Sequence, residues 1–394
     1  MRRHSLHRFQ RGMSLVELLV ATVISLLGVL IIFQVFAVNE DVRRATTSGS
    51  DEQTSGLMAL MTLERDLRHA GFGINDFALV GCNMKSYDAM RTPSSVPDFP
   101  LTPVEIVSNA STTPDVIRVI YGGSKQTTAA VQLGNNMDTG TDPVQLISRF
   151  GFDPGDVAIV GQPNTNCTMM EVTGVPGLVD LEHGLGSYVI PQTGESKTPR
   201  FNDPAGFPEL YKFLLQAKVM NLGPSPVRAE ITVRNNEANP AENNQLVSQN
   251  MWGQVATFEP VSEQIVHLKA EYGMDDGKDN DTVVRAVYSA DDNLVDNFTT
   301  VSPDLTNPQD WSRVRSVRVA IISRSMTPDR APCAATPDFS ADVNNDTYPV
   351  RWARGPDTPK GRPIDVRTTA DWRCYRYRVY ETTVPLRNMI WRQE

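Results

Sequence analysis

The sequence predicts an α+β molecule: a long N-terminal α-helix, transmembrane in its first half, packed on a β-rich, mainly antiparallel C-terminal globular domain. Three observations carry this reading. An apolar run, Leu18–Val38, follows a basic leader that contains no acid. No proline occurs from Asn39 to Ala70, and leucines recur there at spacings of three and four. Beyond Gly73 the chain breaks into short β-branched stretches separated by polar, proline-rich joints.

The leader, residues 1–12, carries Arg2, Arg3, Arg8 and Arg11. Only Thr22, Ser25, Gly28 and Gln34 interrupt the apolar run that follows. Its length as a helix is roughly 32 Å, enough to cross a hydrocarbon core of about 30 Å. Positive charge before it and Glu40-Asp41 after it orient the N-terminus to the cytoplasm. A secretory signal cut after Val35-Phe36-Ala37 would have a core longer than such signals use. A plain anchor leaves the spacing of Gly12 and Glu17 without a reason.

Glu17 stands beside hydrocarbon, where a carboxylate is costly and calls for a partner or a function. Cleavage after Gly12 would create a positive α-amino group at Met13, about one helical turn before Glu17 on the same face. Glu17 would also lie near the positive end of the helix dipole. In a packed bundle this carboxylate could pair with the amine of a neighbouring subunit.

Residues 13–38 are therefore expected to form the transmembrane half of the helix, and residues 39–73 its outer half. Leu57, Leu60, Leu63, Glu64, Leu67 and Ala70 give the outer half a partly apolar face. Ser48-Gly49-Ser50 and Gly56 predict a bend or local melting, and Gly71 and Gly73 a stop. Residues 74–394 form the globular part. Strands are expected at Asp115–Tyr121, Val144–Phe150, Asp156–Val160, Ala229–Val233, Ile265–Tyr272, Val283–Tyr288 and Val314–Ser323. Leu210–Leu222 reads as strand or helix. Joints are expected at Thr92–Pro103, Pro191–Pro208, Asn235–Gln245 and Thr327–Pro363, the last a surface excursion. Alternation in Val317–Ile321 and Tyr375–Val379 predicts half-buried strands with one wet face.

Charged residues make up only 21% of the chain, while glycine and proline are abundant, which fits a turn-rich β domain rather than a helical bundle. Removing the four arginines of the leader takes the formal charge from −9 to −13. This acidity argues against broad nucleic-acid binding through phosphates. Arg373, Tyr375, Arg376, Tyr377, Arg378 and Tyr380 interleave base and aromatic, but an amphipathic strand explains them better. Four cysteines, Cys82, Cys167, Cys333 and Cys374, contain no C-x-x-C, so zinc and redox motifs are poor readings. In an exported domain they allow two disulfides in three connectivities. Proximity in sequence favours Cys82–Cys167 and Cys333–Cys374.

No catalytic motif assembles. His69, His183 and His267 are far apart, and the glycines near Gly273 and Gly184 complete neither a P-loop nor a dinucleotide fingerprint. The sequence is read as no enzyme and as holding no cofactor. Calcium is the secondary reading, at Asp275, Asp279 and Asp281 or at Asp342, Asn344 and Asp346. Thr347 and Ala353 stand where an EF-hand needs glycine and an acid, and polar turns commonly have this composition.

Arg11-Gly12-Met13-Ser14-Leu15-Val16-Glu17 and the apolar run resemble the class III signal of type IV prepilins and pseudopilins. Further segments resemble PilW-type minor pilins: Leu63–Gly73 their helix end, His267–Asp275 a strand ending in a Tyr-Gly-x-Asp turn, Trp311–Val319 their penultimate strand, and Tyr380–Asn388 their C-terminal signature. The resemblance implies cleavage by prepilin peptidase after Gly12 and N-methylation of Met13, which replaces the usual phenylalanine. It implies that Glu17 sets assembly register. The protein would be a single-pass inner-membrane protein of a Gram-negative bacterium with a periplasmic domain, later part of the pilus. It would act in pilus initiation, at or near the tip. Expected partners are other minor pilins, the major pilin, the peptidase, the inner-membrane assembly platform and a tip adhesin. The rival readings are a type II secretion minor pseudopilin and a membrane-anchored periplasmic module that binds a ligand or DNA.

Overall fold

The computed structural model describes residues 14–124, 126, 129–207, 213–234, 243–252, 257–275, 295–304, 308–328, 342, 344–355, 358–367 and 372–390. Helix α1, Leu15–His69, runs unbroken for 55 residues. Ser14 caps its start, and the expected stop is where the glycines put it: Gly71 and Gly73 adopt φ of +78° and +86°. Such angles are readily available to glycine and let the chain turn sharply away from the helix axis. The local melting allowed for at Ser48–Gly56 does not occur: the helix is continuous there. Ser48, Ser55 and Gly56 serve contact with the domain, as described below.

Three larger sheets follow. The C-terminal sheet orders Asn297–Thr299, Ile265–Met274, Val314–Arg324 and Tyr377–Pro385, all antiparallel. A middle sheet orders Phe258–Glu263, Gln245–Asn250, Val227–Arg234, Val116–Tyr121 and Val104–Val107, again antiparallel. The remaining sheet orders Ser95–Pro100, Asn83–Tyr87, Cys167–Glu171, Val157–Gly161, Lys218–Gly223 and Val131–Gln132. Its one parallel pair aligns Met84 with Cys167, where the Cys82–Cys167 disulfide ties the two strands. Cys374 is also disulfide-bonded, whereas Cys333 lies outside the described residues.

The outer half of α1 and all three sheets share one core, in which Leu63, Leu67, Leu222, Ile231, Tyr272 and Trp311 are buried. Burying a leucine of this kind stabilises by about 1.5–3 kcal/mol. A second core, around Leu133, Phe152, Val160, Met170 and Val219, belongs to the disulfide-bearing sheet and the loops over it. A third lies on the C-terminal sheet, where Tyr348, Trp352, Ile364 and Trp372 cover Val266, Ala320 and Ile322.

That third core corrects the expectation of a wet face for Val317–Ile321, whereas the strand Tyr377–Pro385 keeps exposed positions. Val314–Arg324 is buried along nearly its whole length, because α1 contributes to the core on one side and Tyr348, Trp352, Ile364 and Trp372 cover the other. The described part of the Thr327–Pro363 joint is thus partly a lid on the sheet rather than a surface excursion. The Thr92–Pro103 joint contains an edge strand, Ser95–Pro100; proline suits an edge because it lacks the donor a central strand needs. Of Val144–Phe150 only Val144–Gln145 forms a strand, Leu146 adds an isolated bridge to Leu133, and Phe150 is 78% exposed. Leu210–Leu222 resolves into the strand Lys218–Gly223 at its end. Val283–Tyr288 lies outside the described residues.

Candidate assembly site

At its start, α1 places Glu17 in the first turn, and the Glu17 backbone N–H donates to Ser14 Oγ at 3.2 Å. An exposed carboxylate there complements the helix dipole. Gly12 and Met13 lie outside the described residues. From Leu15 to Val38 the exposed large apolar side chains are 47–76% exposed, so this stretch packs on nothing among the described residues. It is long and apolar enough to cross a membrane.

Docking begins at Ser48. Its Oγ accepts the backbone N–H of Met326 at 3.0 Å. One turn later the buried Glu52 accepts the Ser323 hydroxyl at 3.2 Å, and its other oxygen lies 3.9 Å from Arg378 Nε. Burial pushes the Glu52 carboxyl above the usual carboxylate range, against the Ser323 hydrogen bond and the arginines. The Ser55 carbonyl accepts from Ser262 at 2.9 Å. At Gly56 the ring of Tyr380 approaches so closely that any Cβ would overlap it. Ala59, Leu63, Leu67 and Ala70 continue the buried stripe at helical spacing. The expected face included Leu57, which is 43% exposed, and missed Gly56 and Ala59. A search for large apolar residues passes over small ones that allow close approach.

Asn388 closes the far end of the helix. Its Nδ2 lies within 3.1–3.3 Å of the carbonyl oxygens of Arg68, His69 and Ala70. These are among the carbonyls a helix end leaves without partners. The sequence reading singled out the segment ending at Asn388 but gave it no role.

The sheet beneath carries charge inside it. Lys269 Nζ donates to Asp115 at 2.8 Å and to the carbonyls of Asn109, Ala110 and Thr113, so the ammonium is surrounded by acceptors. Arg318 pairs with the buried Glu271 at 2.5 Å and lies over the Phe298 ring. Arg315 meets Asp275 at 3.2 Å, both fully buried.

This last pair overturns the calcium reading at Asp275, whose carboxylate is neutralised by a guanidinium inside the sheet. Asp279 and Asp281 lie outside the described residues. Asp346 pairs with Lys360, and Asp342 accepts the Asn344 backbone N–H at 2.9 Å, a turn contact. No group of three potential metal ligands forms among the described residues. The histidines are separate. His69 lies beside Tyr121, and His183 stacks on Phe207 at 4.6 Å. The buried His267 is pushed down to about 4, by burial first and then by Lys269. The aromatics of the Arg/Tyr stretch are engaged within the domain: Tyr377 donates to the Trp372 carbonyl, Tyr375 lies under Arg324, and Tyr380 meets Gly56.

Residues 7–33 match the prokaryotic N-terminal methylation motif, and residues 230–388 match the type IV pilus-assembly protein W family. Over these two segments the chain is similar to PilW-family type IV pilins. The PilW match opens inside the strand Val227–Arg234 and closes on Asn388, the residue at the end of α1. It therefore spans the whole C-terminal sheet and two further strands of the middle sheet. The disulfide-bearing sheet lies outside both matches. No curated protein and no solved structure matches the chain.

Proposed function

We propose that this PilW-family chain is a minor pilin whose work is assembly rather than turnover. Prepilin peptidase cleaves after Gly12, Met13 is N-methylated, and the apolar half of α1 leaves the bilayer to pack among other pilin helices. Glu17 sets axial register by pairing with the N-terminal amine of a neighbour. The β-rich domain lies in the periplasm and contacts other minor pilins to initiate the pilus, at or near its tip, beneath an adhesin. One observation carries this reading. A helix headed by an exposed carboxylate in a methylation motif presents its apolar first half unpartnered, while its second half is fixed to the domain. Charge inside an apolar segment calls for a partner, and a neighbouring amine in low dielectric supplies one.

The test is complementation of a strain lacking the gene. Wild-type protein restores pili, whereas Glu17→Ala is made and processed yet restores few or none. Full piliation with Glu17→Ala would remove the assembly role. Normal pili in the deletion strain, with loss of protein export, would assign the chain to a secretion system.

A further inference from the structure

Outside both family matches, the loops over the second core form an open cleft of about 310 Å³. It is lined by Thr141, Pro143, Thr173, Glu182, His183, Gly184, Gly186 and Ser187. That volume is at the small end for ligand sites, enough for one side chain or one ring. The backbone of Glu182 is fixed by reciprocal hydrogen bonds: its N–H donates to the Gly174 carbonyl at 2.8 Å, and its own carbonyl accepts from Thr173 at 2.8 Å. Its carboxylate lies so close over Gly174 that a Cβ there would collide with it. Yet the carboxylate has no cation or donor among the described residues, and the hydroxyls of Thr173 and Ser187 are likewise unengaged.

One wall is the flat ring of His183, stacked on Phe207 with planes 12° apart. His183 Nε2 lies 2.8 Å from the Asp142 carbonyl. Burial pushes this imidazole below its ordinary value, so it adds no positive charge at neutral pH. No lysine or arginine lines the cleft among the described residues. An exposed carboxylate on a fixed backbone, hydroxyl acceptors and a planar neutral wall, with no cation among the described lining residues, suit a planar cation with several donors.

We propose that this cleft binds a guanidinium, the side chain of an arginine on a partner protein. The Glu182 carboxylate accepts its N–H groups, Thr173 and Ser187 accept from the remainder, and the plane lies along His183. The proposal goes beyond pilus assembly through α1, and its failure would leave the role of Glu17 untouched.

The experiment is titration of the full chain in detergent micelles with methylguanidinium, N-acetyl-arginine amide, N-acetyl-lysine amide and methyl glucoside. Saturable binding of the arginine amide is expected, at least as tight as methylguanidinium and tighter than the lysine amide, weakening as salt is raised. Glu182→Gln should weaken it at least tenfold with the thermal midpoint unchanged, and Gly174→Ala should weaken it by displacing the carboxylate. Absence of saturable binding, equal binding by Glu182→Gln, or binding of the glucoside in preference would overturn the proposal. Binding of methylguanidinium without the arginine amide would overturn the assignment to a partner chain.

Discussion

Asn388, Gly56 and Glu52 hold α1 to the domain in three different ways. Asn388 supplies donors to helix-end carbonyls, so Asn388→Ala leaves them to water. The expected loss is about 1 kcal/mol in a urea unfolding midpoint. Gly56 makes room for Tyr380, so Gly56→Val overpacks the contact at a cost of about 1–3 kcal/mol. Combined with Tyr380→Ala, the two changes should be non-additive, because they share one contact. Glu52 works against the fold at neutral pH. Its folded value is raised above the unfolded one, so the folded state binds the proton more tightly. Stability should therefore fall as pH rises from below the ordinary carboxylate range through the raised value. Glu52→Gln should flatten that dependence when unfolding midpoints are compared between about pH 4 and 7. An unchanged slope would show that Glu52 is not the group responsible.

At the scale of elements, the disulfide-bearing sheet closes its parallel strands with a bond between residues 85 apart in sequence. In the chain-entropy view a loop of that length is worth about 4–5 kcal/mol. Cys82→Ser with Cys167→Ser should lower stability on that scale in guanidinium unfolding, while the other disulfide remains. The helix and its stop were legible in the sequence, because glycine at positive φ and a long apolar run each have a single strong physical meaning. The central strands were also legible, from their β-branched content. Their burial was not: Arg318 fell on the face expected to be wet, but it pairs with the buried Glu271 inside the domain. Ser95–Pro100 was hidden by prolines that only an edge strand tolerates, and Asn388 by the sequence separation of 319 from the His69 carbonyl it meets. The Glu182 cleft had no sequence signature, since its walls come from three separated segments.

For the whole molecule, the two family matches describe its two ends. A methylation motif opens a helix whose apolar half is unpartnered, and a PilW segment builds the sheet and the cap that grip the other half. Sequence reasoning found both, because charge, glycine and hydropathy at the N-terminus, and the order of short motifs near the C-terminus, need no three-dimensional contact to be recognised. The central claim is that the chain enters a filament through a processed, methylated N-terminus. Intact-mass and N-terminal analysis of membrane-extracted protein, with and without the prepilin peptidase, tests it most directly. The expected result is a chain starting at N-methylated Met13 only when the peptidase is present. A start at Met1 in both strains, or at Val38, would contradict it.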